Sequence, residues 1–422
     1  MKNRFPPDWT STTLSELVAA KKGKKPAVLR KNPAVGFVPY LDIKAIEKKE
    51  VRQFAEVKSS RLASEKDLFV VWDGARSGWI GTGMAGAIGS TIMALTPRQG
   101  NPEYLRYFIA SHFQTINTRT RGTGIPHVDP EVFWNLEVPL PPLSVQRRIV
   151  AKLEKLLAKM DSSQLGLARI PVLLKRFRQS ILAAACSGRL TTDWRKQSTM
   201  ANGQPSPIAD VDLPDIPDSW RWVKLPDTGE MNRGKSRHRP RNEPALFGGP
   251  YPFIQTGDIA QSGGRITAHK QTYSKAGLAQ SRLWPAGTIC ITIAANIAES
   301  AILTYPACFP DSVVGIMANP NACMAEYVEY FIRVAKADLA TFAPATAQKN
   351  INIAILNELS VPLPPLAEQK EIIRRVEKLF ALADQIEARC TLAKAHAGNL
   401  TQSILARAFR GTLIRSDKPC LS

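Results

Sequence analysis

Metal-ligand spacing is missing from this chain. The six cysteines, Cys186, Cys290, Cys308, Cys323, Cys390 and Cys420, contain no CxxC pair, and the five histidines are scattered. The usual zinc arrangements are therefore excluded, no metal site is expected, and a disulfide framework is disfavoured. Long hydrophobic runs are missing too. No stretch of 18 apolar residues occurs, and the start, MKNRFPPDW, has no apolar leader core. A soluble, cytoplasmic protein is expected. Acidic residues are in short supply: 36 Asp and Glu face 56 Lys and Arg, a net charge of +20. Such an excess implies a polyanionic partner, with nucleic acid the default, because surface charge kept only for solubility is usually balanced or acidic. The length of 422 residues leaves room for two to four domains with real cores.

What is present is present twice. Val138 to Leu143 reads VPLPPL, and so does Val361 to Leu366, 223 residues on. Gln179 to Leu190 (QSILAAACSGRL) returns at the same offset as Gln402 to Leu413 (QSILARAFRGTL). A period this long means two copies of a whole module rather than a solenoid. Each copy opens on a tryptophan, Pro7-Asp8-Trp9 and Pro217-Asp218-Ser219-Trp220, then a basic glycine loop at Lys21 to Pro26 and Asn232 to Pro240. Apolar and β-branched runs follow: Phe37 to Ile43 matches Pro252 to Ile259, and Asp67 to Val71 matches Thr288 to Thr292. Bounded by Gly and Pro, they predict a compact, mostly β module. Glu103 to Ile109 and Glu326 to Ile332 predict a short amphipathic helix on it. Between the tryptophan and VPLPPL the second copy is 12 residues longer, so the frame repeats while its contents differ.

After each VPLPPL comes a stripe at 3–4 spacing. Ile149, Leu153 and Leu156 carry it first, Ile372, Val376 and Leu379 second, with charged residues between. This is the pattern of a coiled-coil seam, serving as helical core or subunit interface. About 40 residues would span roughly 60 Å, ending at Gly188 and Gly411. Pro171 should kink or split the first helix, whereas its counterpart is Lys394. Two such stripes pack antiparallel only if the modules face opposite ways, which would hold two DNA-binding modules at a fixed separation, as readers of two half-sites require. A hairpin that merely folds the protein is the plainer reading. If the final tail packs near the N-terminus, the molecule becomes quasi-circular.

Candidate contacts to a polyanion lie in matched loops. Lys21, Lys22, Lys24 and Lys25 form an acid-free run, and Arg233, Lys235, Arg237 and Arg239 are its counterpart. Such Gly/Pro loops approach phosphates closely. A second pair carries side chains able to read base edges: Arg119, Arg121, Thr123 and His127 in one copy, Gln348, Lys349 and Asn350 in the other. Arg76 and Asn296 sit in a third matched pair. The alternative reading of each is an ordinary surface loop, though the matched position of the second pair favours DNA contact.

Catalysis finds no footing. Gly229 to Ser236 fits G-x-x-x-x-G-K-[ST], but a phosphate loop needs a strand before it and a helix after it. Lys224 to Thr228 is a poor strand, and Pro240 and Pro244 forbid the helix. No NPPY or DPPY tetrapeptide, glycine-rich cofactor loop or Ser/His/Asp arrangement occurs. No catalytic residue and no cofactor is expected on this chain.

A proline-rich PLPPL followed by Gln146 or Gln369, then QSILAxA closing the helix, resembles the specificity subunit of type I restriction–modification systems. The resemblance runs from Pro7 to about Leu413. It implies an α+β fold: two mixed, largely β target-recognition domains separated by two long antiparallel coiled-coil-like helices, pseudo-two-fold symmetric. The implied division is 1–140 recognition domain 1, 141–190 central helical region, 191–215 linker, 216–363 recognition domain 2, 364–413 distal helical region and 414–422 tail. It implies a non-catalytic subunit reading a bipartite, asymmetric target on double-stranded DNA. Two modification subunits would dock on it, with restriction subunits joining through those. S-adenosylmethionine, ATP and Mg would belong to the partners. The alternative is a stand-alone two-module DNA-binding protein.

Overall fold

The structure is a computed structural model describing residues 5–121, 126–198, 213–238, 240–294, 296–341 and 351–414. The chain forms two compact units, Met1–Ala168 with Cys390–Ser422, and Arg169–Arg389. Both contain the same plan, and both boundaries fall inside a long helix.

In the first unit, strand Thr10–Thr13 pairs antiparallel with Glu137–Leu140, which holds the first VPL of the repeat. An antiparallel sheet runs in the order Val18–Lys22, Ile92–Pro97, Leu68–Val71, Ile80–Thr82. Leu68 to Val71 are all buried, because successive side chains enter different cores. Leu68 and Val70 face Tyr104, Phe108, Ile149 and Leu153; Phe69 and Val71 face Leu41, Ile46 and Ile88. That second face carries a smaller sheet in which Phe37–Leu41 pairs parallel with Gly86–Ile88.

The second unit repeats this. Arg221–Lys224 pairs with Ser360–Leu363, and the main sheet runs Gly229–Arg233, Val313–Ala318, Ile289–Thr292, Ser300–Leu303, with Arg265–Ile266 added parallel at its edge. Ile289 and Ile291 enter the core shared with the helices, and Cys290 enters the other, with Ile254 and Phe309. The predicted amphipathic helices are Pro102–Ser111 and Ala325–Thr341.

The VPLPPL repeat works as a junction. Its prolines supply no N–H, so neighbouring side chains must satisfy its carbonyls. Tyr104 donates to the Pro139 carbonyl at 2.7 Å, and Gln146 donates to that of Pro141 at 2.9 Å while accepting from the Asn101 amide at 2.8 Å. In the second unit Tyr327 donates to the Pro362 carbonyl; Gln369 donates to that of Pro364 at 2.8 Å and accepts from the Met324 amide at 2.7 Å. Every partner stands 223 residues from its equivalent.

From each junction a helix of 44 residues departs, Leu143–Cys186 and Leu366–Phe409. Ile149, Leu153, Ile372 and Val376 are buried in their units' cores, with Leu156 and Leu379 partly buried against them. Within each unit the two helical stretches run antiparallel. Thr401 meets Met160 and Cys390 meets Leu167 in the first unit; Arg178 bridges Asp384 at 2.6 Å and Glu387 at 2.9 Å in the second.

Of the kink or split expected at Pro171, the split does not occur: the helix runs unbroken from Leu143 to Cys186. A proline orphans the carbonyl four residues earlier, here that of Leu167. The Cys390 thiol donates to it at 3.3 Å, replacing the missing amide. At the helix ends Gly188 and Gly411 both adopt φ +74°. A Cβ at Gly188 would come within 2.5 Å of Pro217, and one at Gly411 within 2.4 Å of Pro6. The end of the distal helix thus meets the N-terminal segment within the first unit, and Leu413 and Ile414 pack on the same core as Trp9. The first residues of the expected linker are helical, Thr192–Gln197.

One asymmetry has a pH consequence. Glu329, 1% exposed, stands where the first unit has Arg106. Burial pushes its carboxyl up to about 7, opposed by Arg333, Ser300 and Arg265; Glu326 adds to the rise. The folded pKa lies above the unfolded one. Its contribution is therefore fully present below about 4.5 and lost as pH rises through about 7. Glu329→Gln should gain stability relative to wild type between pH 5 and 8 in paired thermal melts. A constant difference across that range would contradict this.

Candidate nucleic-acid interface

The basic loops occupy the same place in both units, and one glycine fixes each. The Gly23 amide donates to the Ile92 carbonyl at 2.9 Å and that of Lys24 to Ile88 at 3.3 Å. The Gly234 amide donates to Val313 at 2.8 Å and that of Lys235 to Phe309 at 3.2 Å. A Cβ on Gly23 would lie 2.0 Å from the Gly89 oxygen, and one on Gly234 2.3 Å from that of Pro310. Only glycine lets the backbone pass so close. The loop then projects Lys24 and Lys25, or Lys235 and Arg237, into solvent.

In the first unit three sequence-matched loops converge. Asp73 accepts from Lys22 at 2.5 Å and faces His127 at 2.8 Å, while the Gly74 amide donates to the Pro126 carbonyl at 2.8 Å. Lys21 donates to the Leu62 carbonyl at 3.0 Å, Arg76 pairs with Glu47, and Arg119 is exposed. Of Arg121 only the backbone is described, in strand Thr120–Arg121. In the second unit Arg233 donates to the Asp311 carbonyl at 3.1 Å, and Arg241 pairs with the Asp311 carboxylate at 2.8 Å. Asn296 is exposed in the loop after Ile289–Thr292. The Ile351 amide reaches the Ile293 carbonyl at 3.0 Å, as that of Val128 reaches Trp72 at 2.9 Å. Thr123, Arg239, Gln348, Lys349 and Asn350 lie outside the described residues.

The geometry also corrects one sequence pairing. Asp42-Ile43 and Asp258-Ile259 look alike, but the backbone register sets Asp42 opposite Gln255. Both precede a short helix, Ile43–Lys48 and Thr256–Gln261, and buried Leu41 and Ile46 match Ile254 and Ile259. Sequence reasoning missed this position because the Asp-Ile dipeptide anchored the match three residues out of register.

Gly229–Arg233 is a strand laddered onto Val313–Ala318, so its amides pair in a sheet rather than cradle a phosphate. The backbone from Gly234 to His238 is irregular rather than helical.

The family described as type I restriction modification DNA specificity domain matches residues 6–170 and 217–392, once per repeat. The chain belongs to this family. The specificity subunit of the Escherichia coli type I restriction enzyme EcoDI is 30% identical, over 99% of this chain and 92% of that relative. Two solved structures share the fold. One chain, from a study of complex assembly and conformational transition of the type I R-M system, superimposes with a TM-score of 0.74 at 21% identity, covering 97% of this chain and 99% of that one. The HsdS subunit from Thermoanaerobacter tengcongensis gives 0.63 at 20% identity, covering 97% and 98%. This chain is a type I specificity subunit with two repeated recognition domains. Among the described residues, no helix of this family member is long and apolar enough to cross a membrane.

Proposed function

We propose that this specificity subunit reads a bipartite, asymmetric target on double-stranded DNA and directs adenine methylation or restriction by partner subunits in the cytoplasm. The observation that carries the reading is one basic glycine loop, in one backbone setting, in each of two units whose surrounding side chains differ. The shared frame would hold phosphates, and the differing side chains would read different half-sites.

The chain carries no catalysis of its own in this reading. S-adenosylmethionine, ATP and Mg serve the partner subunits. Two modification subunits dock on the helices, and restriction subunits join through them. The exposed apolar residues Leu165, Leu392 and Leu400 in the first unit, and Val172, Leu173 and Leu382 in the second, support docking, since a stand-alone reader has no need to expose them. Base-resolution adenine methylation of the host genome, with this gene intact and deleted, tests the reading. One bipartite, asymmetric methylated motif should vanish on deletion. A palindromic motif, or an unchanged methylome in a host whose modification subunit is expressed, would refute it.

A further inference from the structure

In each unit a strand of a smaller sheet, Phe37–Leu41 in the first and Phe247–Phe253, paired with Gln271–Tyr273, in the second, leads into a helix cap beside the basic loop, and the two caps carry different polar pairs. In the second unit Gln255 donates through Nε2 to Gln271 Oε1 at 2.6 Å, and both side chains are exposed. They line a groove of about 590 Å³ together with Ser236 of the basic loop and Arg241 just beyond it, over the stacked rings of Phe253 and Tyr273. In the first unit Asp42 holds Arg52 through Nη2, and the Arg52 side chain is half exposed. In the first unit the backbone ties this pair to the basic loop. The Gly89 amide donates to the Leu41 carbonyl at 3.1 Å, and Gly89 is the residue on which Gly23 packs.

Resting on the DNA-specificity reading above, we propose that this cap position reads one base pair in each half-site, through Gln255 and Gln271 in the second unit and through Arg52, oriented by Asp42, in the first. The chemistry assigns the base in each case. The Gln255 oxygen caps the helix at the Asp258 amide, so Gln271 presents the edge: its amide hydrogens, and the second lone pair of the oxygen that accepts from Gln255. That combination matches adenine N6 and N7 in the major groove. A guanidinium steadied by one carboxylate keeps further donors for guanine O6 and N7. The second unit therefore reads an A·T pair here and the first a G·C pair. One frame with two different readers at one position is how a duplicated module specifies an asymmetric target.

The test compares the full chain, in its complex with the modification subunits, with three variants: Gln255→Ala/Gln271→Ala, the near-isosteric Gln271→Glu, and Arg52→Ala. Methylated motifs in the host and binding to duplexes substituted one position at a time are the readouts. The double variant should broaden one A·T position in one half-site and leave the other half unchanged, with discrimination there falling about tenfold to a hundredfold. Arg52→Ala should broaden one G·C position in the opposite half. Gln271→Glu preserves shape but replaces donors with an acceptor, so the preferred pair at the same position should change. Motifs unchanged letter for letter, equal loss of affinity on every duplex, or broadening of the same half by both sets of variants would overturn the proposal. A wild-type chain that directs no bipartite motif would sink the specificity reading itself; an intact wild-type motif with unaltered variants sinks this proposal alone.

Discussion

Glu368→Ala should destabilise the second unit by about 3–5 kcal/mol, the size expected when one member of a buried ion pair is removed. The Glu368 side chain is fully buried near the start of the distal helix. Its carboxylate pairs with Arg195, accepts from Thr191 at 2.7 Å and accepts from the Trp220 indole at 2.8 Å. These contacts gather the module's opening tryptophan, the short helix Thr192–Gln197 and the distal helix onto one group. Arg195→Ala should cost nearly as much, because it leaves the charge buried without its counter-ion. The first unit has the uncharged Val145 at the position equivalent to Glu368. A Glu368→Val, Arg195→Leu double variant should therefore recover most of the loss. Urea titrations of the four proteins measure this directly. If Glu368→Ala alone cost less than about 1 kcal/mol, the network would be ornamental.

The frame was legible in the sequence because its physics is local and repeated. VPLPPL must begin a helix, a positive-φ glycine must end one, and a matched Gln or Tyr at constant offset points to one shared contact. The stripe residues Ile149, Leu153, Ile372 and Val376 are buried where 3–4 spacing placed them. Three features were illegible for the same reason: each depends on a contact between distant segments. Pro171 reads as a helix breaker until the Cys390 thiol is seen at the Leu167 carbonyl, from 223 residues away. Glu368 reads as a surface acid at a helix start, and nothing local shows that Arg195 and Trp220 converge on it. The register of Asp42 and Gln255 is fixed by parallel pairing of the preceding strand, Tyr40 with Ala87 and Phe253 with Cys308, rather than by the Asp-Ile dipeptide. Candidate site residues followed the same division. Lys22 and His127, 105 positions apart, meet on Asp73, which no local pattern singles out.

Gly23→Ala and Gly234→Ala should each weaken DNA binding more than removal of any single lysine beside them. A methyl group at either glycine meets carbonyl oxygens of the backbone at 2.0 to 2.3 Å, far inside contact distance, and neither the Ile88–Gly89 nor the Phe309–Pro310 segment ends a flexible side chain that could swing away. The strand preceding the loop must lift off, which breaks the paired amide bonds to Ile92 and Ile88, or to Val313 and Phe309. In the proposed reading, Lys24→Gln or Lys235→Gln would delete one phosphate contact. The loss should then be the same for every DNA sequence, with the slope of log affinity against log salt falling by roughly one. In this reading the glycine variants displace both projecting cations at once, so about two units of slope should disappear, and roughly tenfold to a hundredfold of affinity at low salt with it. Salt-dependent binding isotherms of the assembled complex separate the two classes. A glycine variant with wild-type slope would mean that the loop's cations face away from the phosphates. The tight backbone crossing would then serve only to close the sheet, and the candidate interface would have to be sought on another face of each unit.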